Sequence, residues 1–206
     1  MKIIGITGGV GAGKSTVLDI IRDSCDCYIL IADKAAHEVE RRGHPCYDEL
    51  VSLLGREILK DDGEIDKKKM AAAIFAGDSR ELLDRVNAIV HPRVKEYILK
   101  LIEEHRKAED TDYFFIEAAL LIEDGYKAIC DELWYVYADE EVRAERLRST
   151  RGYSDEKIRD IMKNQNSDEI FRENCDVIIE NNGDMKKTEQ QIRKCLQSVA
   201  RNSDKK

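Results

Sequence analysis

The chain has 206 residues, 42% of them hydrophobic and 37% charged, with a formal net charge of −8. That length fits one compact domain carrying small insertions. The acidic balance sets the summed field against polyanions and excludes general binding to nucleic acid or acidic membranes, so an anionic substrate would need a local basic pocket.

No stretch of about 18 uncharged apolar residues occurs, and the N-terminal apolar run is broken by glycines and then Lys14, so neither a membrane span nor a leader is expected. Six cysteines (Cys25, Cys27, Cys46, Cys130, Cys175 and Cys195) are scattered through apolar stretches without paired C-x2-C spacing, and read as reduced, mostly core-filling thiols. A metal pair at Cys25 and Cys27 has no second cluster to complete a tetrahedral site. A cytoplasmic protein is the expectation, with no protein partner implied.

In chain order, residues 2–7 form a β-rich apolar run, followed by a glycine-rich turn and a helical stretch over 14–24 with Val17, Ile20 and Ile21 on one face. Further apolar runs at 28–31, 113–116, 133–137 and 177–179 end at Ala32-Asp33, Glu117, Ala138-Asp139 and Glu180-Asn181-Asn182-Gly183. Five strands separated by helical stretches predict an α/β fold, a five-stranded parallel sheet flanked by helices. Ligands of such sheets bind beyond the carboxyl ends of the strands, although acidic and amide residues also end strands for turn chemistry alone.

The intervening segments set the organisation: a core of 1–33, 107–143 and 174–200, a helical insertion over 34–106, a lid over 144–173 and a polar, frayed tail over 201–206. The insertion is expected to break at Gly43-His44-Pro45, Asp61-Asp62-Gly63 and His91-Pro92. The stripe from Met70 to Phe75 reads as core. Arg143, Arg146, Arg148, Arg151, Arg159 and Arg172 crowd around a Gly152 break.

Gly8-Gly9-Val10-Gly11-Ala12-Gly13-Lys14-Ser15 fits G-x-x-x-x-G-K-[ST] in full, after a strand and before a helix. The glycines let successive N–H groups and the helix N-terminus face the phosphates of ATP. Lys14 would reach the β- and γ-phosphates, and Ser15 would hold Mg²⁺ through its hydroxyl. Thr16 completes this set. The D-x-x-G and N-K-x-D elements of a GTPase switch are missing from the sequence, and a motor or remodelling ATPase usually needs a larger chain, so a P-loop kinase with a small-molecule acceptor is expected.

The sequence resembles the dephospho-coenzyme A kinase family over nearly its whole length. Gly5 to Thr16 match the family's Gly-x-Thr-Gly-Gly-x-Gly-Ser-Gly-Lys-Ser-Thr loop with Ala12 for the serine, and Ala32-Asp33 match its Asp-Ala-Asp segment with Ile31 at the first acid. Gly63-Glu64-Ile65-Asp66, His91-Pro92, Ala119-Leu120-Leu121-Ile122-Glu123, Arg146-Leu147 with Arg151, Gln165, and Ile179-Glu180-Asn181-Asn182-Gly183 follow in the family's order. The departures are Ile31, Ala119 for proline, Tyr137 for a frequent aspartate and Arg143 for a frequent glutamine. The resemblance implies a P-loop kinase fold with a helical acceptor-binding insertion and a small lid. It also implies ATP and Mg²⁺, and transfer to the ribose 3′-hydroxyl of dephospho-CoA to give coenzyme A and ADP. Another nucleoside or nucleotide kinase of the same fold, or a non-catalytic nucleotide-binding regulator, are the alternatives.

Asp33 ends the second apolar run, where a carboxylate can take the proton of an attacking hydroxyl; as an alternative or in addition, it caps the helix that follows. Glu117 ends the third run as a Walker-B-like acid positioning Mg²⁺ through water, or as a solvated strand end. Arg146 is expected to neutralise charge on the transferred group and Arg151 to contact phosphate. His37, one turn after Asp33, and His91 are candidates for the acceptor site, with His91 otherwise packing a helix break. Asn181, Asn182 and Gly183 either shape the adenine pocket or form an ordinary turn.

Overall fold

A computed structural model describes residues 1–76 and 80–203. In chain order its elements are β1 (Lys2–Thr7), α1 (Lys14–Arg22), β2 (Cys27–Ile31), α2 (Ala32–Val39), α3 (Pro45–Leu54), α4 (Lys67–Phe75) and α5 (Arg80–Ala108). Then follow β3 (Tyr113–Glu117), β4 (Glu132–Tyr137), α6 (Glu140–Arg151), α7 (Asp155–Lys163), α8 (Asp168–Asn174), β5 (Val177–Glu180) and α9 (Met185–Ser203). Each expected strand is present, extended by no more than a residue at an end. The chain forms two compact units, one from Met1–Leu30 with Glu109–Lys206 and one from Ile31–Ala108.

The first unit holds the five-stranded sheet, in the order β2-β3-β1-β4-β5. β1 pairs in parallel with both β3 and β4, and β4 with β5. Alternate side chains of β1, β3 and β4 point to opposite faces, and both faces are covered, as parallel strands require. On one face Ile4, Ile6, Phe115, Trp134 and Val136 are fully buried with Val17 and Ile21 of α1 and Ile192 of α9. Burying one such aliphatic side chain contributes about 1.5–3 kcal/mol, so this layer fixes where β1 ends and the loop after it begins. From β1 the chain winds outward to β2, returns at β3 and crosses to β4 and β5 on the other side of β1. The loop after the central strand therefore sits where the winding reverses, the usual binding point of such sheets.

The helical unit is built around α5. Val86, Val90, Val94, Ile98 and Ile102 recur every four residues and are all buried, a ridge that lies against α2 and α3. Leu59 and Ile65 form a short bridge around the expected Asp61-Asp62-Gly63 turn. Asp66 then caps α4, accepting from the backbone N–H groups of Lys68 and Lys69 at 2.8 and 3.2 Å. Those two hydrogen bonds draw the Asp66 carboxyl below its ordinary range.

Four expectations are corrected. The break at His91-Pro92 does not occur, because Pro92 lies inside α5. A proline removes one N–H and crowds the carbonyl four residues before it, but the same buried ridge runs on both sides and holds the helix together. Asp33 is not a cap: the N-cap of α2 is Ile31, and Asp33 lies within the first turn. Within the 70–75 stripe only Ile74 is buried, and Phe75 is 69% exposed. The C-terminal helix runs on to Ser203, so the start of the expected polar tail is helical, while its last residues, 204–206, lie outside the described residues.

Candidate active site

The turn from β1 into α1 carries the glycine-rich loop. Gly8, Gly11 and Gly13 adopt positive φ, and Gly13, at 91°, is the left-handed residue from which α1 starts. A Cβ on Gly13 would collide with the side-chain amide of Asn181, and one on Gly9 with the guanidinium of Arg143. At Gly13 the positive φ and the close approach of Asn181 together favour glycine, whereas at Gly9 the contact is with the movable end of the Arg143 side chain. Ala12 is buried, and Val10 and Thr16 are half-buried.

Lys14 folds back across this loop. Its ammonium donates to the Gly8 carbonyl at 2.7 Å and pairs with Glu117 at 3.6 Å, with both side chains about 15% exposed. Glu117 reaches it because β3 pairs with β1 so that Glu117 stands opposite Ile6, two residues before the loop. Ser15, in the first turn of α1, is exposed. The first unit thus carries the glycine-rich loop, the Lys14 ammonium and the Glu117 carboxylate together at the end of β1, with the Ser15 hydroxyl in the first turn of α1.

Arg146 also reaches the loop, but from behind. Its guanidinium donates to the carbonyls of Gly11 and Ala12 at 3.3 and 3.2 Å and to that of Asn181 at 2.8 Å. Asn181, at the end of β5 and buried, donates to the Ala12 carbonyl at 2.8 Å and accepts from Thr188 Oγ1 at 3.2 Å. Asn181 is therefore a brace of the loop. Asn182 is exposed and accepts from the Asp139 N–H at 2.8 Å, tying the end of β5 to the turn after β4. Arg151, the exposed last residue of α6, stands 6.0 Å from the centre of the Tyr153 ring.

Sequence reasoning undervalued Arg143. Its Nε donates to the Val10 carbonyl at 2.9 Å and its Nη2 to Gln165 Oε1 at 2.6 Å, and the same Gln165 oxygen accepts from the Val10 N–H at 3.2 Å. One turn of α6, one edge of the phosphate loop and the segment between α7 and α8 are closed into a ring of hydrogen bonds. Burial draws the Arg143 guanidinium below its ordinary value. The available signal was its spacing: Arg143 and Arg146 lie three apart on α6 and share a face. Glu123 accepts from Asn166 at 2.7 Å, another tie between the β3 side and the same segment.

The remaining candidates lie in the helical unit. Asp33 and His37 are exposed and four residues apart on one face of α2, and His91 is half-buried on α5.

The family model described as dephospho-CoA kinase matches residues 2–187. The chain belongs to the dephospho-CoA kinase family. It is therefore a phosphotransferase, and its function is that of a kinase of dephospho-CoA using ATP. A dephospho-CoA kinase of Aquifex aeolicus is 38% identical, over 98% of this chain and 99% of that one. One of Carboxydothermus hydrogenoformans is 35% identical over 96% and 94%. Among solved structures, TT1252 from Thermus thermophilus matches with a TM-score of 0.78 at 27% identity, covering 96% of this chain and 97% of that one. No helix among the described residues is long and apolar enough to cross a membrane.

Proposed function

We propose that the chain transfers the terminal phosphate of ATP to the ribose 3′-hydroxyl of dephospho-CoA with Mg²⁺, in the cytoplasm, where its six free thiols would stay reduced. The observation that carries this reading is the complete phosphate loop with Lys14 set between Gly8 and Glu117. The amides of residues 8–16 would cradle the phosphates at the N-terminus of α1. Lys14 would meet the β- and γ-phosphates, and Arg146 would add charge beside the loop that it fastens. Arg151 and Asn182 would contact the nucleotide from the margin of the lid and the end of β5.

Among the described residues no three His, Cys, Asp or Glu side chains form a metal cage. A kinase Mg²⁺ needs none, because it is held by one or two protein oxygens together with phosphate and water. Ser15 through its hydroxyl and Glu117 through water fit that donor set. The cation would supply charge neutralisation on the transferred phosphate.

The helical unit would bind the acceptor, with His37 and His91 as substrate contacts and Asp33 as the base that takes the hydroxyl proton. An acceptor panel with ATP, with Mg²⁺ and with a chelator, tests the whole reading. Phosphorylation of dephospho-CoA well above nucleosides and nucleotides, lost with the chelator, is expected. Preference for another acceptor, or nucleotide binding without turnover, would replace it by one of the alternatives.

Of the lid expected over 144–173, the part beyond Gly152 would close over ATP, pivoting at that glycine, which ends α6 in a left-handed conformation. Hydrogen exchange across 153–172 should slow in the presence of a non-hydrolysable ATP analogue and acceptor. Unchanged exchange with both ligands bound would leave these helices as a fixed wall.

A further inference from the structure

The outer edge of the phosphate loop is a turn closed by the Ala12 N–H, which donates to the Gly9 carbonyl at 3.1 Å, with Val10 and Gly11 at its centre. Gly11 takes a φ of 82°, the left-handed value that the third residue of a type II turn requires. Rotation of the peptide between Val10 and Gly11 is the soft motion of such a turn: it interchanges turn types and reverses the direction of one C=O and one N–H. A glycine in the third position admits either form.

Two side chains oppose that rotation. Arg143 Nε donates to the Val10 carbonyl at 2.9 Å, and a Cβ on Gly11 would lie 2.9 Å from the Arg143 carbonyl oxygen, so α6 lies directly against this peptide. The Val10 N–H donates to Gln165 Oε1 at 3.2 Å, and Arg143 Nη2 donates to the same oxygen at 2.6 Å. Both backbone polar groups of Val10 are thus held by side chains that also hold each other. Arg146 takes the next two carbonyls, those of Gly11 and Ala12, so the Val10–Gly11 peptide is the one that depends on Arg143. Gln165 is itself anchored from the side of α8, where Phe171 stacks on Tyr135 of β4 with ring centres 4.6 Å apart and Arg172 lies 4.8 Å from the centre of the Tyr137 ring. Closure of the lid would therefore be carried by α7, with Gln165 at its foot.

The peptide is trans, and a trans peptide sends its N–H opposite to its C=O. With the Val10 carbonyl drawn towards α6, the Gly11 N–H is turned away from α6. We infer that Arg143 is a positioning residue for ATP: together with Gln165 it fixes the Val10–Gly11 peptide so that the Gly11 N–H is already turned to receive a phosphate oxygen. This rests on the loop being the ATP site. Arg143 acts through the backbone and not through its charge, and without the ring the peptide would have to be ordered when the nucleotide binds.

The test uses the full chain and the binding of a non-hydrolysable ATP analogue with Mg²⁺, measured by calorimetry well below the melting midpoint. Arg143→Met keeps the length of the stem and removes the fork. Its Kd should rise about 5- to 30-fold, the factor for ordering the backbone of one residue on binding. In turnover KM for ATP should rise with it, while KM for dephospho-CoA stays within about twofold. Arg143→Lys keeps the charge but does not bridge a carbonyl and an amide as the planar fork does, and should lose nearly as much. Gln165→Leu should weaken binding similarly, and adding it to Arg143→Met should cost no more than about a further twofold, because the two side chains act as one ring. Wild-type affinity in Arg143→Met, with only the melting temperature lowered, would make the ring a plain structural tie and overturn the inference. Wild-type affinity in Arg143→Lys would make Arg143 a charge for the phosphates and overturn it too, as would losses that multiply in the double variant. Lys14→Ala separates the two levels: it should bind the analogue weakly, and unchanged binding there would take ATP away from the loop and remove this inference with it.

Discussion

Lys14→Ala is expected to lower kcat by at least about 10³-fold. Removing a single preorganised donor from a site of developing charge costs about 10²–10³-fold, and in the proposed reaction Lys14 would bring a full charge to the oxygens that gain it. The variant also has a structural effect. Lys14 pairs with the largely buried Glu117, and a largely buried carboxylate that loses one charged partner is destabilised by about 1–3 kcal/mol. Melting of the protein without nucleotide should therefore fall, and the kinetics should be measured well below the new midpoint. Glu117→Gln added to Lys14→Ala should restore much of the melting temperature and none of the rate. Recovery of kcat along with stability would make Lys14 a structural residue.

Asp33→Asn is expected to lower kcat by about 10²–10⁴-fold, the usual contribution of positioned proton transfer, or roughly 3–5 kcal/mol of barrier. The side chain is exposed in the first turn of α2 and makes no cap, so the substitution keeps the shape and removes only the charge and basicity. Its charge favours the helix N-terminus by no more than about 1 kcal/mol, so stability should barely move. Affinity for ATP should be unchanged. Ile31 stands where the family carries a second acid, so no neighbouring carboxylate in this segment can take over. A near-normal kcat, measured where chemistry limits the rate, would defeat the assignment.

The parts legible in the sequence are those carried by contiguous residues. The eight positions from Gly8 to Ser15 sit together because the motif is one turn between a strand and a helix. The strand runs were legible because both faces of a parallel sheet are buried, so apolar residues follow one another without alternation. The long-range contacts were not legible. Arg143 looked like one more charge on a charged helix, and only the packing of α6 beside the loop aims it at Val10 and Gln165. Asn181 resembled the start of an Asn-Gly turn, yet it is a buried brace whose partners, Ala12 and Thr188, are set by the fold.

Local rules failed where tertiary packing outweighs them. Pro92 signalled a break that the ridge from Val86 to Ile102 overrides. Asp33 was at the right place for a cap by composition, but the helix starts two residues earlier, with Ile31 as its N-cap, and leaves the Asp33 carboxylate out of the capping role. The pairing of Lys67 with Glu40 joins residues from two helices, and no spacing rule could have linked them.

The position of the transferred phosphate tests the account most directly. The protein, ATP, Mg²⁺ and dephospho-CoA should yield a single new product whose phosphorus couples to the ribose H3′, and the 3′-deoxy analogue of the acceptor should yield none. Phosphate found on any other oxygen, or equal turnover of the 3′-deoxy analogue, would contradict it.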